Sequence, residues 1–145
     1  MSTRIARNAP AVQAAAYATG ELIGGKQKFS AQARGKIQSA LLTDLNSQNV
    51  AYDVVLFSDD PSATTFSENN ALDIADADLP KVFGVISFAT SDRVAFASSS
   101  VSFKQGLAIP MKGQGDFYAA IVSRGAPTYA STSDVTLSFG IEDPK

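Results

Sequence analysis

From Gly20 onward, short apolar runs stopped by turn residues recur at a spacing of roughly ten residues, a rhythm that fits antiparallel β-strands and leaves little room for helix. Residues 52–57 (Tyr-Asp-Val-Val-Leu-Phe) form the strongest strand signal, and Ser58-Asp59-Asp60-Pro61 ends it abruptly. Residues 135–141 are the cleanest: Val135, Leu137, Phe139 and Ile141 fall on one face, Thr136, Ser138 and Gly140 on the other. Leu22-Ile23 and residues 26–29 flank Gly24-Gly25, which reads as a hairpin-like connection. Further strands are expected over residues 36–43, 82–88, 94–97, 101–103 and 117–122. Residues 54–57 and 117–122 are continuously apolar, as strands buried on both faces are.

These elements predict an all-β fold, an antiparallel β-sandwich or barrel, with a jelly-roll arrangement among its forms. At 145 residues and 45% hydrophobic content, the chain can bury one sizeable core, so a single domain over residues 20–145 is expected. Residues 1–19, rich in Ala and interrupted by Pro10, read as an extended N-terminal arm. A helix competes there, since Asn8 suits a cap, Pro10 a first turn and Gly20 an end, but Ala offers little apolar surface to hold it. One short helix is expected within residues 71–79, introduced by the capping-box spacing of Thr65 and Glu68 and closed by Pro80.

The chain has no histidine and no cysteine, which removes the usual proton shuttle near neutral pH and most tight transition-metal ligands. Four clusters remain to be weighed. Asp73, Asp76 and Asp78 crowd together, but Gly84 stands where an EF-hand loop starting at Asp73 needs its Glu. Asp59 and Asp60 beside Thr64 and Thr65 read as a Pro-containing turn before they read as a hydrolase pair. Lys112-Gly113-Gln114-Gly115 lacks the ending and following helix of a phosphate loop. Tyr17, Tyr118 and Tyr129 are candidates for an aromatic platform and equally for ordinary sheet residues. The expectation is a non-enzymatic protein with no cofactor, no metal and no small-molecule substrate.

Charge is unevenly spread. Residues 1–36 carry a net +5, residues 37–80 carry −8 with no base, and the whole chain is −2. That total argues against a nucleic-acid partner, and the absence of any run of about 18 apolar residues argues against a membrane span. Arg4 and Arg7 ahead of an Ala-rich stretch loosely imitate a secretion signal, but Pro10 and Gln13 spoil the match. The polarity suits a basic arm steered onto an acidic surface, or simply solvated loops.

Three stretches carry a family resemblance: residues 17–25 (Tyr-Ala-Thr-Gly-Glu-Leu-Ile-Gly-Gly); residues 53–57 continuing through Pro61, Thr64-Thr65-Phe66 and residues 76–79 into Gly84-Val85; and residues 124–129 (Arg-Gly-Ala-Pro-Thr-Tyr). On these the chain resembles small virion proteins of tailed bacteriophages, encoded near the major capsid protein; Glu21 stands where Asp is expected. The resemblance implies a decoration or cement protein on the outer surface of the capsid, with the major capsid protein as partner and a homotrimer as the expected self-assembly. Arg4, Arg7, Val12 and Tyr17 are then the candidate partner-binding residues of the arm. A tail or neck component of the virion and a carbohydrate-binding sandwich are the competing readings.

Overall fold

A computed structural model describes residues 3–30, 34–111 and 115–143. Among the described residues nine strands form two antiparallel sheets: β1 (Thr3–Asn8), β2 (Leu22–Phe29), β3 (Gly35–Asp44), β4 (Tyr52–Phe57), β5 (Val82–Phe88), β6 (Arg93–Ala95), β7 (Ser100–Met111), β8 (Phe117–Ser123) and β9 (Val135–Glu142). The five-stranded sheet runs β1-β9-β3-β7-β6 and the four-stranded sheet β2-β8-β4-β5. With β6 set aside as an added edge strand, the pairs β4–β5, β3–β7, β2–β8 and β1–β9 nest inside one another. This is the wrapping of a jelly roll, a long folded-back ribbon rolled into a sandwich.

The core lies between the sheets and is built from the inward-facing members of the alternating strands. Val135, Leu137, Phe139 and Ile141 are all fully buried. Phe29 stacks on its cross-strand neighbour Phe117 with ring centroids 5.0 Å apart, and Phe139 of the opposite sheet meets Phe29 edge-on at 5.0 Å. That aromatic trio ties one sheet to the other. At the opposite end Tyr52 and Tyr129 share a hydroxyl hydrogen bond of 2.7 Å, and Tyr17 packs edge-on against Tyr129 at 5.7 Å.

Three expectations change. The described part of residues 1–19 is extended, but it belongs to the body. β1 is an edge strand of the five-stranded sheet, and residues 9–21 form a strap that crosses to the other sheet. The strap is pinned by backbone bonds from Val12 N to Thr132 O, Tyr17 N to Pro127 O and Tyr129 N to Ala15 O. A boundary at Thr19 therefore separates nothing.

Gly24-Gly25 is no hairpin turn, because both glycines sit inside β2 with φ of +82° and +71° and mark a register shift against β8. The bulge survives because the Glu68 carboxylate accepts both glycine N–H groups, each at 2.8 Å. Residues 71–79 hold no α-helix: the segment makes turns and ends in a single 3₁₀ turn at Leu79–Lys81 containing Pro80. Glu68, read as the far end of a capping box, is spent on the glycines, so nothing is left to start a helix.

The two glycines also differ in surroundings. A Cβ at Gly24 would lie 2.2 Å from Pro10 Cβ, whereas one at Gly25 would meet nothing within 4 Å. Both substitutions to Ala force a left-handed backbone, but only Gly24→Ala adds a clash. Urea denaturation should show losses of about 1 kcal/mol for Gly25→Ala and about 3 kcal/mol for Gly24→Ala; equal losses would contradict this packing.

Candidate interaction surface

A sandwich has two outer faces, and this chain treats them differently. The outer face of the four-stranded sheet is roofed by residues 58–81, which lay Phe66, Leu72 and Ile74 over Leu22, Val55, Phe57 and Ala120. Phe66 meets Phe57 edge-on at 6.3 Å, and the Lys26 ammonium lies 5.8 Å from the Phe66 ring centre while pairing with Asp60 at 2.6 Å. Burial of that second apolar cluster is what holds a long connection in place.

The outer face of the five-stranded sheet has no such roof among the described residues. The register places three rows of side chains across it. Val94, Val101, Thr43 and Thr136 make one row; Phe103, Leu41, Ser138 and Arg7 the next; Gln105, Ser39, Gly140 and Ile5 the third. Val94 is 54% exposed, Phe103 43% and Ile5 64%. Phe96 just beyond β6 and Leu45 just beyond β3, also exposed, extend the apolar character at one end. Across these rows Arg7 is the one charged residue; Lys36 and Glu142 stand at the rim, opposite each other. The face is thus broad and nearly uncharged, with Val94 and Phe103 exposed toward the β6 edge and Ile5 toward the β1 edge.

The residues singled out in the sequence scatter over this frame. Arg7 is exposed on the bare face. Arg4 points to the other side of β1 and pairs with Asp143 at 2.7 Å. Val12 and Tyr17 are 2% and 3% exposed and lie in the core, so in the folded chain they have no surface to offer a partner. The Tyr17 hydroxyl donates to Glu68 and accepts the Gln13 N–H at 2.7 Å. Burial, reinforced by the Glu68 carboxylate, raises its pKa far above the usual tyrosine value, so it stays a donor. Tyr129 is equally buried and Tyr118 is half-buried beneath Lys26. The three tyrosines thus form no exposed platform.

The acidic clusters also resolve into separate tasks. Asp73 and Asp76 are exposed, but Asp78 is fully buried, accepting the Thr64 hydroxyl at 2.6 Å and pairing with Lys81 at 2.9 Å. Thr64 Oγ1 accepts the Ala75 N–H at 3.1 Å in turn, and Lys81 donates to the Asp60 carbonyl at 2.8 Å. This clasp fastens the roof. Asp59 and Asp60 are exposed at its edge. No group of three or more metal-ligating side chains occurs among the described residues. Of the Lys112-Gly113-Gln114-Gly115 loop, the first three residues lie outside the described residues.

A buried polar knot escaped the sequence reading. Asp44 accepts the backbone N–H groups of Asn46 and Gln48 at 2.7 and 2.8 Å, and Asp134 accepts those of Ala130 and Ser131 at 2.9 and 3.0 Å. The Asn46 amide joins the two by donating to Asp134 at 2.6 Å. Burial first, and the neighbouring Asp134 charge with it, raises the Asp44 pKa. These bonds satisfy two turns at one end of the sandwich, a structural use of carboxylates.

The fold and its surface therefore define a jelly-roll sandwich with one roofed and one bare sheet. Compared with known proteins, the chain matches no family model and no curated sequence. Among the described residues no helix is long and apolar enough to cross a membrane.

The roof clasp carries a pH signature. The Thr64 hydroxyl, and then Lys81, hold the Asp78 carboxyl below its ordinary pKa. Its stabilising contribution is complete above the unfolded value of about 3.9 and disappears as pH falls through the lower folded value. Asp78→Asn should lower the melting temperature at neutral pH, with the gap to the parent chain closing below about pH 4. A gap independent of pH would exclude an ionised Asp78 in the clasp.

Proposed function

We propose that this chain is a non-enzymatic decoration or cement protein of a tailed-phage capsid, lying on the outer surface of the head as a closed homotrimer. In this reading the bare outer face of the five-stranded sheet is the surface laid against the major capsid protein. The observation that carries the reading is the contrast between the two outer faces: the chain covers one with its own residues 58–81 and leaves the other uncovered among the described residues, nearly uncharged, with Val94, Phe103 and Ile5 exposed among small polar side chains. A shell presents the same surface many times over, so contacts that are individually modest suffice when every copy of a closed assembly engages at once.

The resemblance to phage virion proteins adds the partner. Its stretches fall on the strap, the start of β2, β4, the roof, β5 and the loop after β8, which are scaffold positions and leave the docking face free to vary with the shell it meets. Arg7 is the one arm cation that stands on that face, which suits an acidic spot on the partner.

Co-sedimentation with undecorated heads tests the proposal. The parent chain should pellet with the heads, and Phe103→Glu combined with Val94→Glu should reduce occupancy about tenfold or more, the effect of losing 1.4 kcal/mol or more per copy. Val85→Glu, at an equally exposed site on the other sheet, should leave occupancy unchanged. A parent chain that stays in the supernatant, or pellets only with tails, would overturn the assignment.

A further inference from the structure

β1 is attached differently from every other long strand. It pairs the first described residues with the last, Thr3 opposite Glu142 and Asn8 opposite Leu137, so forming it closes the largest loop the fold contains. Its return in apolar burial is small. Ala6 is the single buried residue of the strand, while Ile5 faces solvent. What fastens it is polar: the ladder to β9, the Arg4–Asp143 pair, and the Asn8 amide donating to the Lys28 carbonyl at 2.7 Å. Beneath it, an open groove of about 270 Å³ lined by Ala6, Arg7, Asn8, Lys28 and Phe29 separates β1 from the facing edge strand β2.

The strap that follows is the opposite. Pro10, Val12 and Tyr17 are buried, and Glu68 latches Tyr17 to the β2 bulge. A weakly packed strand is thus joined to a firmly held strap through the short link Asn8-Ala9-Pro10. Short, stiff links of this kind favour exchange of the element they carry. Of the main core cluster β1 supplies Ala6 alone, and with β1 released β9 presents an open edge running past Leu137, Phe139 and Ile141, which has to be paired.

We propose that β1 is an exchangeable strand: the β9 edge accepts the β1 of a second copy of this chain in place of its own. The occupant is fixed by the site itself, because a second copy's β1 supplies the same ladder, the same Ala6 and the same Arg4 for Asp143. Intramolecular and exchanged forms have equal contacts, and copy number in solution or on a surface decides between them. The inference does not depend on what the bare face binds.

The absence of cysteine makes the test clean, since introduced thiols are the sole ones present. Arg7 and Ser138 are opposite each other across β1 and β9, within reach of a disulfide. The double variant Arg7→Cys with Ser138→Cys should close an internal bond on oxidation; failure to close would refute the register and the proposal with it. Mixing the two single variants, incubating and then oxidising should give the Arg7→Cys/Ser138→Cys heterodimer in about tenfold excess over either homodimer, because exchange places those two thiols at high effective concentration. Sedimentation velocity supplies the second readout: the parent chain should form a concentration-dependent oligomer that the double variant, oxidised as a dilute monomer, does not form. Heterodimer at or below homodimer yield, or a parent chain monomeric at all concentrations, would overturn the proposal.

Discussion

Strand pairing nested around the β4–β5 hairpin is the constraint from which the rest follows. Once Tyr52–Phe57 lies antiparallel to Val82–Phe88, each earlier strand finds its partner later in the chain, and the ribbon curls until two sheets face each other. The Phe29, Phe117 and Phe139 trio then locks the layers together, because cross-sheet aromatic contacts bury area that neither sheet can bury alone. The nested plan also ranks the pairs: β4–β5 closes the shortest loop of the four, and β1–β9 closes the longest. Weak anchoring of the first strand is a consequence of the topology.

The same plan sends residues 58–81 across the tip of the hairpin with enough chain to fold back over one outer face. Fastened by the Asp78–Thr64–Lys81 clasp and by Glu68 on the strap and bulge, that roof converts an exposed apolar sheet into a second small core. No chain of comparable reach serves the other sheet among the described residues. Its outer rows stay bare, and the sparse charge on them, Arg7 alone, makes the face compatible with a partner's surface at little desolvation cost.

Much of the architecture was legible in the sequence, and the physical reason is the two-residue period. Alternation at Val135 to Ile141 and the abrupt stop at Pro61 reveal strands because a half-buried strand has to alternate and a Pro turn has to end it. Pairing order was not legible, since it depends on contacts between residues far apart in the chain. Glu68 illustrates the limit: three residues after Thr65 it mimics a cap, yet its carboxylate meets Gly24 and Gly25, which sequence distance hides. Val12 and Tyr17 read as arm residues because the Ala-rich sequence around them carries no strand period, but Pro10, Val12 and Tyr17 are enough to bury a strap whose backbone bonds are satisfied elsewhere. The bare face is visible in the sequence only as scattered residues; the register of five strands puts Val94 and Phe103 toward one edge of a single surface and Ile5 at the other.

The central claim is that the unroofed sheet faces the partner. A reconstruction of decorated heads at a resolution that separates the two sheets measures this directly. The account predicts β6, β7, β3, β9 and β1 against the shell, with the roof formed by residues 58–81 turned to solvent. Density showing that roof seated on the shell and Val94 and Phe103 pointing away from it would contradict the account.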